Sequence, residues 1–523
     1  MSGWSSSPWR LPVLSGVLLG LSYVGLPPLL PNFVAFVPIL WWLEDNASKP
    51  LADRLRGAFL FGVVAYFGIL YWMYAMLRFS WLAGILYVGL ATIFALFAMT
   101  AVTVAARLRR VLRWPWAISL PAAWIALEWA RSFTDVRMTA DHLGHTLSPY
   151  PFLVQFADLS GPYGVGAFVL AANALAYEWI RRRGESAGRR AAAALGVLAA
   201  AVLLYDAWAW LHPPTAVRTV KVGFVQPNVP LDVKHGDDTE SDQWRTLSLL
   251  TRRAAGQGAE IVLWPETARP WRLRHVVSDP RTLAMGETQA LARETGAAIV
   301  AGVEYLRVPG PAESSFYNAA LLVHPDGRID PAWSAKIYLV PFVEGIPFEP
   351  VLGRFLAGRG GEMRWLAGGF TRGPRIEPLP AEKARVGTLI CYEELYCDLA
   401  RRVRNAGSDF IAILTNDAWF GRTRFQWFQA NVVRLRAIEN RCAFVRVANT
   451  GISGFVDPLG RYRDWTDLDT EAVGVRELPL PEGRSAYGAV GDVAAWIALS
   501  VAVGGVAWAG AGGGRRARRG RKP

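Results

Sequence analysis

Long apolar segments restrict the fold of this chain more than any other feature. A membrane-spanning helix needs about 20 mainly apolar residues. Seven candidate segments precede residue 213, at about 11–26, 29–43, 57–77, 81–106, 116–133, 152–180 and 191–211. An eighth candidate lies near the C-terminus, at about 487–510. Charged residues make up 19% of the chain, against about 25% in soluble domains. The sequence therefore predicts an α-helical transmembrane bundle of about eight spans. The fifth candidate carries Glu128, and we expect it to be broken or buried among other helices.

Lys and Arg are distributed very unevenly among the loops between these segments. Alternate loops and the C-terminal tail carry most of them: Lys49, Arg54, Arg56, Arg107, Arg109, Arg110, Arg113, Arg181, Arg182, Arg183, Arg189, Arg190, Arg515, Arg516, Arg518, Arg519, Arg521 and Lys522. The opposite short loops hold Arg78, Arg131 and Arg137. Because Lys and Arg accumulate on the cytoplasmic side, the pattern predicts cytoplasmic termini and a 213–486 segment outside the cytoplasm. A soluble protein with buried helices would leave this alternation unexplained.

The net charge of +13 has a second possible interpretation, which is nucleic-acid binding. The Arg residues, however, lie in short runs between apolar stretches rather than on one basic face. We therefore expect the bilayer, and no nucleic acid, as the partner of this positive charge.

The hydrophobic pattern changes between the seventh and eighth apolar segments. Short β-rich runs such as "TVKVGFVQ", "EIVLWPE", "RVGTLICYE" and "DFIAILTND" alternate with helical stretches. This alternation is typical of an α/β layered domain. The predicted divisions are a helix bundle of about seven spans over 1–212, an α/β domain outside the cytoplasm over 213–486, a transmembrane helix over 487–510 and a basic cytoplasmic tail over 511–523.

Three chemically distinctive residues follow β-like runs of the central segment. Glu266 stands in "IVLWPETARP", Lys336 in "WSAKIYLVPF" and Cys391 in "VGTLICYEELY". Strand ends deliver side chains into a site on rigid elements, and Cys, Glu and Lys together can perform nucleophilic acyl transfer. Taken alone, a cysteine in such a run is more often a small buried hydrophobe, and the sequence does not show that the three residues meet.

Proton transfer from the thiol to a carboxylate sets an energetic condition on this site. The ordinary pKa values of Cys and Glu differ by about 4 units, so the transfer costs roughly 5–6 kcal/mol. A neighbouring Lys336 would lower the thiol pKa, and burial would raise the carboxyl pKa. The ammonium could also stabilise the oxyanion of a tetrahedral intermediate, with a backbone N–H near Tyr392 as a second donor.

The order of the motifs "LWPET", "AKIYLVPFVEGIPF", "LICYEELY" and "TNDAWFG" resembles the nitrilase (carbon–nitrogen hydrolase) superfamily. The apolar spans on both sides are similar to its membrane-embedded branch, the apolipoprotein N-acyltransferases. The resemblance covers nearly the whole chain and implies an αββα sandwich that opens toward the lipid. It implies that Glu266 is the general base, Lys336 the oxyanion-stabilising lysine and Cys391 the nucleophile.

The same resemblance implies a supporting set around these three residues: Glu344, Tyr392, Glu393 and Asn318. The chain departs from the family pattern at His235, where the family often has Trp. Trp419 and Phe420 lie in "TNDAWFG", which predicts either a mobile loop that closes over acyl chains or a packed loop.

The implied reaction moves an acyl chain from a glycerophospholipid to the α-amino group of an S-diacylglyceryl cysteine on an apolipoprotein. It passes through a thioester and needs neither cofactor nor metal, and a monomer is expected. Two alternatives stay open: a membrane-tethered amidase or nitrilase with the same three residues, and a scaffold without activity. Cys397 and Cys442 could form a disulfide in an oxidising compartment or remain buried thiols.

Overall fold

The computed structural model describes residues 9–24, 29–134, 137–231, 240–269, 272–279, 282–310, 313–341, 343–345, 348 and 369–519. His235 lies outside this part of the chain, as do Arg521 and Lys522 of the tail.

The N-terminal part is helical. It contains α1 (Arg10–Ser22), α2 (Leu29–Val34), α3 (Val37–Asp45), α4 (Leu51–Ile69), a 310 helix (Tyr71–Arg78), α5 (Leu82–Leu112), α6 (Trp116–Arg131), α7 (Ala157–Arg181) and α8 (Ser186–Leu211). One further helix of this bundle lies near the C-terminus, α14 (Val493–Arg519).

Among the described residues, four helices are long and apolar enough to cross a membrane: Leu82–Leu112, Ala157–Arg181, Ser186–Leu211 and Val493–Ala511. A fifth span results if α4 and the 310 helix that follows it count as one, although they are bent by 52°. This establishes a membrane domain, but it does not confirm the predicted count of about eight spans. The first three predicted segments correspond to a 13-residue helix, to two short helices and to the bent pair.

Two local features explain the structures of the second and fifth predicted segments. Pro38 stands at the start of α3, where its ring fits the first helical turn but ends a preceding helix. The 16-residue α6 carries Glu128, which is buried and accepts hydrogen bonds from Trp124 Nε1 at 3.0 Å and from the Leu143 amide at 3.2 Å. The carboxylate therefore lies among other helices, and lipid does not solvate it.

The segment between α8 and α14 folds around two β-sheets. The first is built from β1 (Ala216–Gln226), β2 (Ile261–Leu263), β3 (Leu273–Val276), β4 (Ala298–Gly310), β5 (Glu313–Val323), β6 (Ile329–Ala335) and the late strand β13 (Ala472–Pro481). Its order is β13-β1-β2-β4-β5-β6, with β3 paired to β4. Helices α9 (Glu240–Gly256) and α10 (Gly286–Thr295) pack on its outer face.

The second sheet has the order β12-β11-β10-β9-β8-β7. Its strands are β7 (Leu379–Ala381), β8 (Ala384–Ile390), β9 (Phe410–Thr415), β10 (Phe444–Ala448), β11 (Gly454–Val456) and β12 (Tyr462–Arg463). Helices α11 (Cys397–Asn405) and α12 (Phe425–Asn440) cover its outer face. A short α13 (Ala486–Val490) leads back to the membrane helix α14.

The two sheets pack face to face through an apolar core. Val222, Phe224 and Leu263 of the first sheet share one buried cluster with Val386 and Leu414 of the second. Alternating side chains of a strand point to opposite faces, so each sheet also presents apolar side chains to its own helices. The resulting helix–sheet–sheet–helix order is the expected nitrilase-like α/β fold.

A single apolar cluster joins the membrane bundle to the second sheet. It runs from Phe36 and Trp124 in the bundle through Phe428 and Val432 of α12 to Ile413 of β9. Continuous packing of this kind has the density of a protein interior and transmits displacements. The helix layer over the second sheet is thus built jointly with the membrane domain.

Candidate active site

Each of the three predicted catalytic residues directly or closely follows a strand. Glu266 comes three residues after β2, Lys336 follows β6, and Cys391 follows β8. The strands β2 and β8 belong to different sheets of the sandwich. All three side chains are buried, with exposed fractions of 6%, 0% and 7% respectively. Glu266 and Lys336 both act electrostatically on the Cys391 thiol, so the strand ends of both sheets contribute to one interior site.

Glu266 and Lys336 are held together with Glu344. Lys336 Nζ lies 2.7 Å from Glu344 Oε1 and 3.6 Å from Glu266 Oε1. Asn318 Nδ2 donates a hydrogen bond to Glu266 Oε1 at 2.7 Å, and the backbone amide of Asn416 donates to Glu266 Oε2 at 2.9 Å. Both oxygens of the buried carboxylate are thus oriented by donors that come from β5 and from the end of β9.

A close backbone approach fixes the segment that carries Glu266. A Cβ built on Gly302 of β4 would lie 2.0 Å from the carbonyl oxygen of Pro265 and 3.0 Å from Glu266 Cα. No side chain fits in that distance, so glycine is required for β4 to support the turn after β2.

Cys391 begins a 310 turn, Cys391–Leu395, and adopts a left-handed backbone conformation with φ +56°. This conformation is sparsely populated by residues other than glycine, and such strain collects at functional sites. The turn directs the chain sharply away from β8 at the point where the thiol enters the site. Cys391 therefore stands in a strained backbone conformation at a strand-to-helix turn.

The pKa of the Cys391 thiol is raised well above its ordinary value. Burial is the largest cause and the negative charge of Glu266 adds to it, whereas Lys336 acts in the opposite direction. The expected lowering by Lys336 is therefore present but outweighed. Burial also opposes the charge of Lys336, yet Glu344, Cys391 and Glu266 raise the pKa of this ammonium above its ordinary value. At neutral pH the thiol is therefore protonated and lies beside the ammonium of Lys336.

Glu393 connects the cysteine turn to the segment that follows Lys336. Its Oε1 accepts the amides of Ile337 at 2.6 Å and Tyr338 at 2.9 Å, and its Oε2 accepts the amide of Ile390 at 2.8 Å. Burial raises the pKa of Glu393 to about 7, against the lowering effect of the amides of Tyr338 and Ile390. Glu393 thus fixes the start of the cysteine turn to the backbone that follows Lys336.

Tyr392, also predicted from the resemblance, is buried on the bundle side of the cysteine turn. Its ring packs edge-on against Tyr396, with centroids 5.4 Å apart. Burial raises the pKa of Tyr392 above its ordinary value, so the phenol stays protonated. Its side chain is a packing neighbour of the turn, while its amide is the group that the sequence suggested as an oxyanion donor.

Trp419 and Phe420 lie in a 310 turn, Asp417–Phe420, that packs on the bent part of the bundle. Phe420 is buried against Trp72 at 5.4 Å between ring centroids, and Trp419 lies 5.2 Å from Phe79. Arg78 Nη2 donates to the carbonyl of Trp419 at 3.0 Å. Of the two predictions for this loop, the structure corresponds to the packed one, with Trp419 the more exposed aromatic at 37%.

Sequence reasoning missed Arg446 and Glu394, which are buried charged residues beside the site. Arg446 of β10 is fully buried and paired with Glu394 and Asp417. The available signal was an Arg in the otherwise apolar strand "FVRVA", since a charged residue in a fully buried strand needs partners. Of the two alternatives for Cys397 and Cys442, a disulfide or buried thiols, the structure has buried free thiols.

The fold and this site define a membrane protein with a carbon–nitrogen hydrolase domain. A carbon-nitrogen hydrolase family model matches residues 221–487, and a model described as the apolipoprotein N-acyltransferase N-terminal domain matches residues 15–175. The chain belongs to the apolipoprotein N-acyltransferase family and is an acyltransferase.

Relatives named apolipoprotein N-acyltransferase align along nearly the whole chain. The protein of Geobacter metallireducens is 32% identical over 511 residues, covering 94% of this chain and 93% of its own length. The protein of Bradyrhizobium diazoefficiens is 30% identical, covering 95% and 94% respectively, and that of Chlorobaculum tepidum is 28% identical, covering 95% of both. These matches support lipoprotein N-acylation as the activity of the chain.

Proposed function

We propose that this protein transfers a fatty acyl chain from a glycerophospholipid to the α-amino group of an S-diacylglyceryl cysteine on an apolipoprotein. The reaction passes through a thioester on Cys391, with Glu266 as general base and Lys336 as oxyanion stabiliser. The observation that carries the proposal is the contact of Lys336 with two carboxylates in a buried site that also contains Cys391.

In the first half-reaction, Cys391 Sγ attacks the ester carbonyl carbon of the phospholipid while Glu266 accepts the thiol proton. Because the thiol pKa is raised, the sulfur needs this base at the moment of attack. The negative charge that develops on the carbonyl oxygen is stabilised by the ammonium of Lys336, which is already oriented by Glu344. The C–O bond then breaks, and the lysophospholipid leaves with the proton from Glu266.

In the second half-reaction, the α-amino group of the lipoprotein attacks the thioester carbon. Its ordinary pKa is near 8, so a useful fraction is neutral at pH 7. Glu266 accepts a proton from the amine, the C–S bond breaks, and the sulfur recovers its proton. A site that faces lipid and excludes water would favour this amine over hydrolysis of the thioester.

The membrane topology is part of the same proposal. We place the helix bundle over 1–212, the catalytic domain over 213–486, the last membrane helix over 487–510 and a cytoplasmic tail over 511–523. The Lys and Arg distribution supports about eight spans in the inner membrane, with the catalytic domain on the periplasmic side. Both substrates would then reach the site laterally, because each carries acyl chains in the bilayer.

Mass spectrometry of the trapped enzyme tests the proposal directly. The purified protein is incubated with phospholipid, quenched and digested, and a fatty-acyl adduct is expected on the peptide that contains Cys391. Addition of a diacylated lipopeptide should remove the adduct and yield N-acylated peptide. Release of ammonia from small amides without any adduct would indicate the amidase alternative. Full activity of Cys391→Ser would overturn the assignment of the nucleophile.

A further inference from the structure

The charged group formed by Arg446, Glu394 and Asp417, which we call the Arg446 cluster, is fully buried beside the candidate site. Arg446 Nε donates to Glu394 Oε2 at 2.9 Å, and Nη2 donates to Glu394 Oε1 at 3.0 Å. On the other side, Nη1 and Nη2 donate to the Asp417 oxygens at 2.9 and 3.1 Å. Nη1 also donates to the carbonyl of Ile452 at 2.7 Å. These five hydrogen bonds use all five N–H donors of a guanidinium.

Stability is a poor explanation for such a cluster. Removing charges from water costs several kcal/mol per ion, and well-packed apolar side chains of similar volume are often as stabilising as a buried ion pair. Here one cation faces two carboxylates, so the cluster is not even neutral by formal charge. The neighbouring β10 residues are all buried and apolar. An aliphatic side chain would therefore suit this strand if packing were its only task.

The cluster connects the two segments that carry the thiol and the base. Glu394 stands in the same 310 turn as Cys391, three residues further along the chain. Asp417 directly follows Asn416, whose amide donates to Glu266 Oε2 at 2.9 Å. Arg446 thus binds the turn of Cys391 through its hydrogen bonds to Glu394. It binds the segment that orients Glu266 through its hydrogen bonds to Asp417. Planar bidentate pairs fix geometry as well as supplying energy.

The surrounding backbone shows that Asp417 has little freedom. A Cβ on Gly451 would lie 1.8 Å from Asp417 Oδ2, so the chain after β10 closes directly over the carboxylate. Thr415 Oγ1 donates to Asp417 Oδ1 at 2.8 Å. Asp417 is therefore confined on the sides of β9 and of the loop after β10, and Arg446 sets its position relative to the cysteine turn.

We propose that Arg446 is a positioning residue that sets the separation between the Cys391 thiol and the Glu266 carboxylate. The inference rests on the proposed roles of Cys391 and Glu266. A displacement of about 1 Å at reacting atoms costs about 10²-fold in rate. Lys keeps the charge of Arg446 but has three donors and no planar fork, so it cannot hold both carboxylates in register.

The test compares Arg446→Lys with a matched control, Arg436→Lys. Arg436 is also fully buried and paired, with Nη2 2.9 Å from Glu439 Oε1, but it lies on α12 and contacts none of the three catalytic residues. Two rates are measured per folded molecule: alkylation of Cys391 by iodoacetamide, followed by peptide mass, and single-turnover acylation of Cys391 by phosphatidylethanolamine in detergent micelles.

Arg446→Lys is expected to slow both rates by about 10- to 100-fold, with an unchanged half-saturating phospholipid concentration. Arg436→Lys should lower thermal stability but leave both rates within twofold. Wild-type alkylation kinetics in Arg446→Lys, or equal losses in both variants, would overturn the positioning role. If Arg446→Lys is alkylated slowly but the wild-type enzyme forms no acyl adduct, the positioning role of Arg446 stands and the proposed function is rejected. If Arg446→Lys does not fold, Glu394→Gln replaces it, with the same expected loss. This variant leaves one acceptor oxygen, so it breaks the bidentate pair with Arg446 and keeps the guanidinium.

Discussion

Replacing Glu344 by Gln separates the charge of this residue from its shape. Glu344 Oε1 lies 2.7 Å from Lys336 Nζ, and Glu344 Oε2 accepts the Val340 amide at 2.9 Å. A glutamine offers one acceptor oxygen for these two donors, so one of them faces an NH2 group. An unsatisfied donor of this kind costs about 1–3 kcal/mol of stability.

The catalytic consequence follows from two distances. Without the Glu344 charge, the buried ammonium of Lys336 has Glu266 as its remaining carboxylate, now 3.6 Å away. Closing that distance to the 2.7 Å of a good ion pair moves the ammonium by about 0.9 Å. Because misplacement by about 1 Å costs about 10²-fold, we expect acylation of Cys391 to slow by about a hundredfold, or about 2.7 kcal/mol in activation free energy.

Single-turnover acylation with phospholipid, quenched at intervals and read by peptide mass spectrometry, measures this rate. Glu294→Gln is the matched control, because Glu294 also pairs with a cation, Arg252, but lies on the surface of the domain. The control should acylate at the wild-type rate. If Glu344→Gln stays within twofold of wild type, Glu344 does not hold Lys336 away from Glu266, and our account of the oxyanion site is wrong.

Three further outcomes are expected. Gly302→Ala places a Cβ 2.0 Å from the Pro265 carbonyl oxygen, so it should displace the turn that carries Glu266. We expect a lower melting temperature and acylation slowed at least tenfold; wild-type acylation kinetics would contradict the close approach. Trp72→Ala removes a ring stacked 4.1 Å from that of Phe425 and should destabilise the protein by about 3–5 kcal/mol in thermal unfolding, whereas an unchanged melting temperature would show that this contact does not join bundle and domain. In Glu266→Gln, which lacks the proton acceptor, only preformed thiolate can react; because burial raises the pKa of Cys391, its iodoacetamide labelling should rise about tenfold per pH unit from pH 7 to 9. A plateau in that window would refute the raised pKa.

The local pattern of the sequence was sufficient to predict the class of fold and the three central residues. Apolar runs of two lengths distinguish membrane helices from buried strands, because the thickness of the bilayer and the width of a sheet differ. Glu266, Lys336 and Cys391 were recognisable because a polar residue at or shortly after the end of an apolar run lies near a strand end. The membrane domain follows from these patterns and is confirmed, and so are the nitrilase-like fold and the family, which the resemblance of the motifs implies. The count of about eight spans and the roles of the site residues stay predictions.

Other properties of the site depended on contacts between distant parts of the chain. Arg446 meets Glu394 across 52 positions, and Asn318 meets Glu266 across 52. The sequence also left the direction of the Cys391 pKa shift undetermined. Burial and Glu266 raise this pKa and Lys336 lowers it, so the balance depends on where these groups lie in space. Likewise, the bend of 52° after α4 brings Trp72 and Arg78 to the 310 turn that contains Trp419 and Phe420.

The sequence by itself therefore determined which segments are apolar, where strands end and which reactive groups stand there. These are short-range properties, fixed by side-chain chemistry and by the period of the backbone. The tertiary structure decided which charges become neighbours and how strongly water is excluded from them. Coulomb energies and desolvation depend on distances across the fold, and those distances exist only after the two sheets and the membrane bundle have packed together.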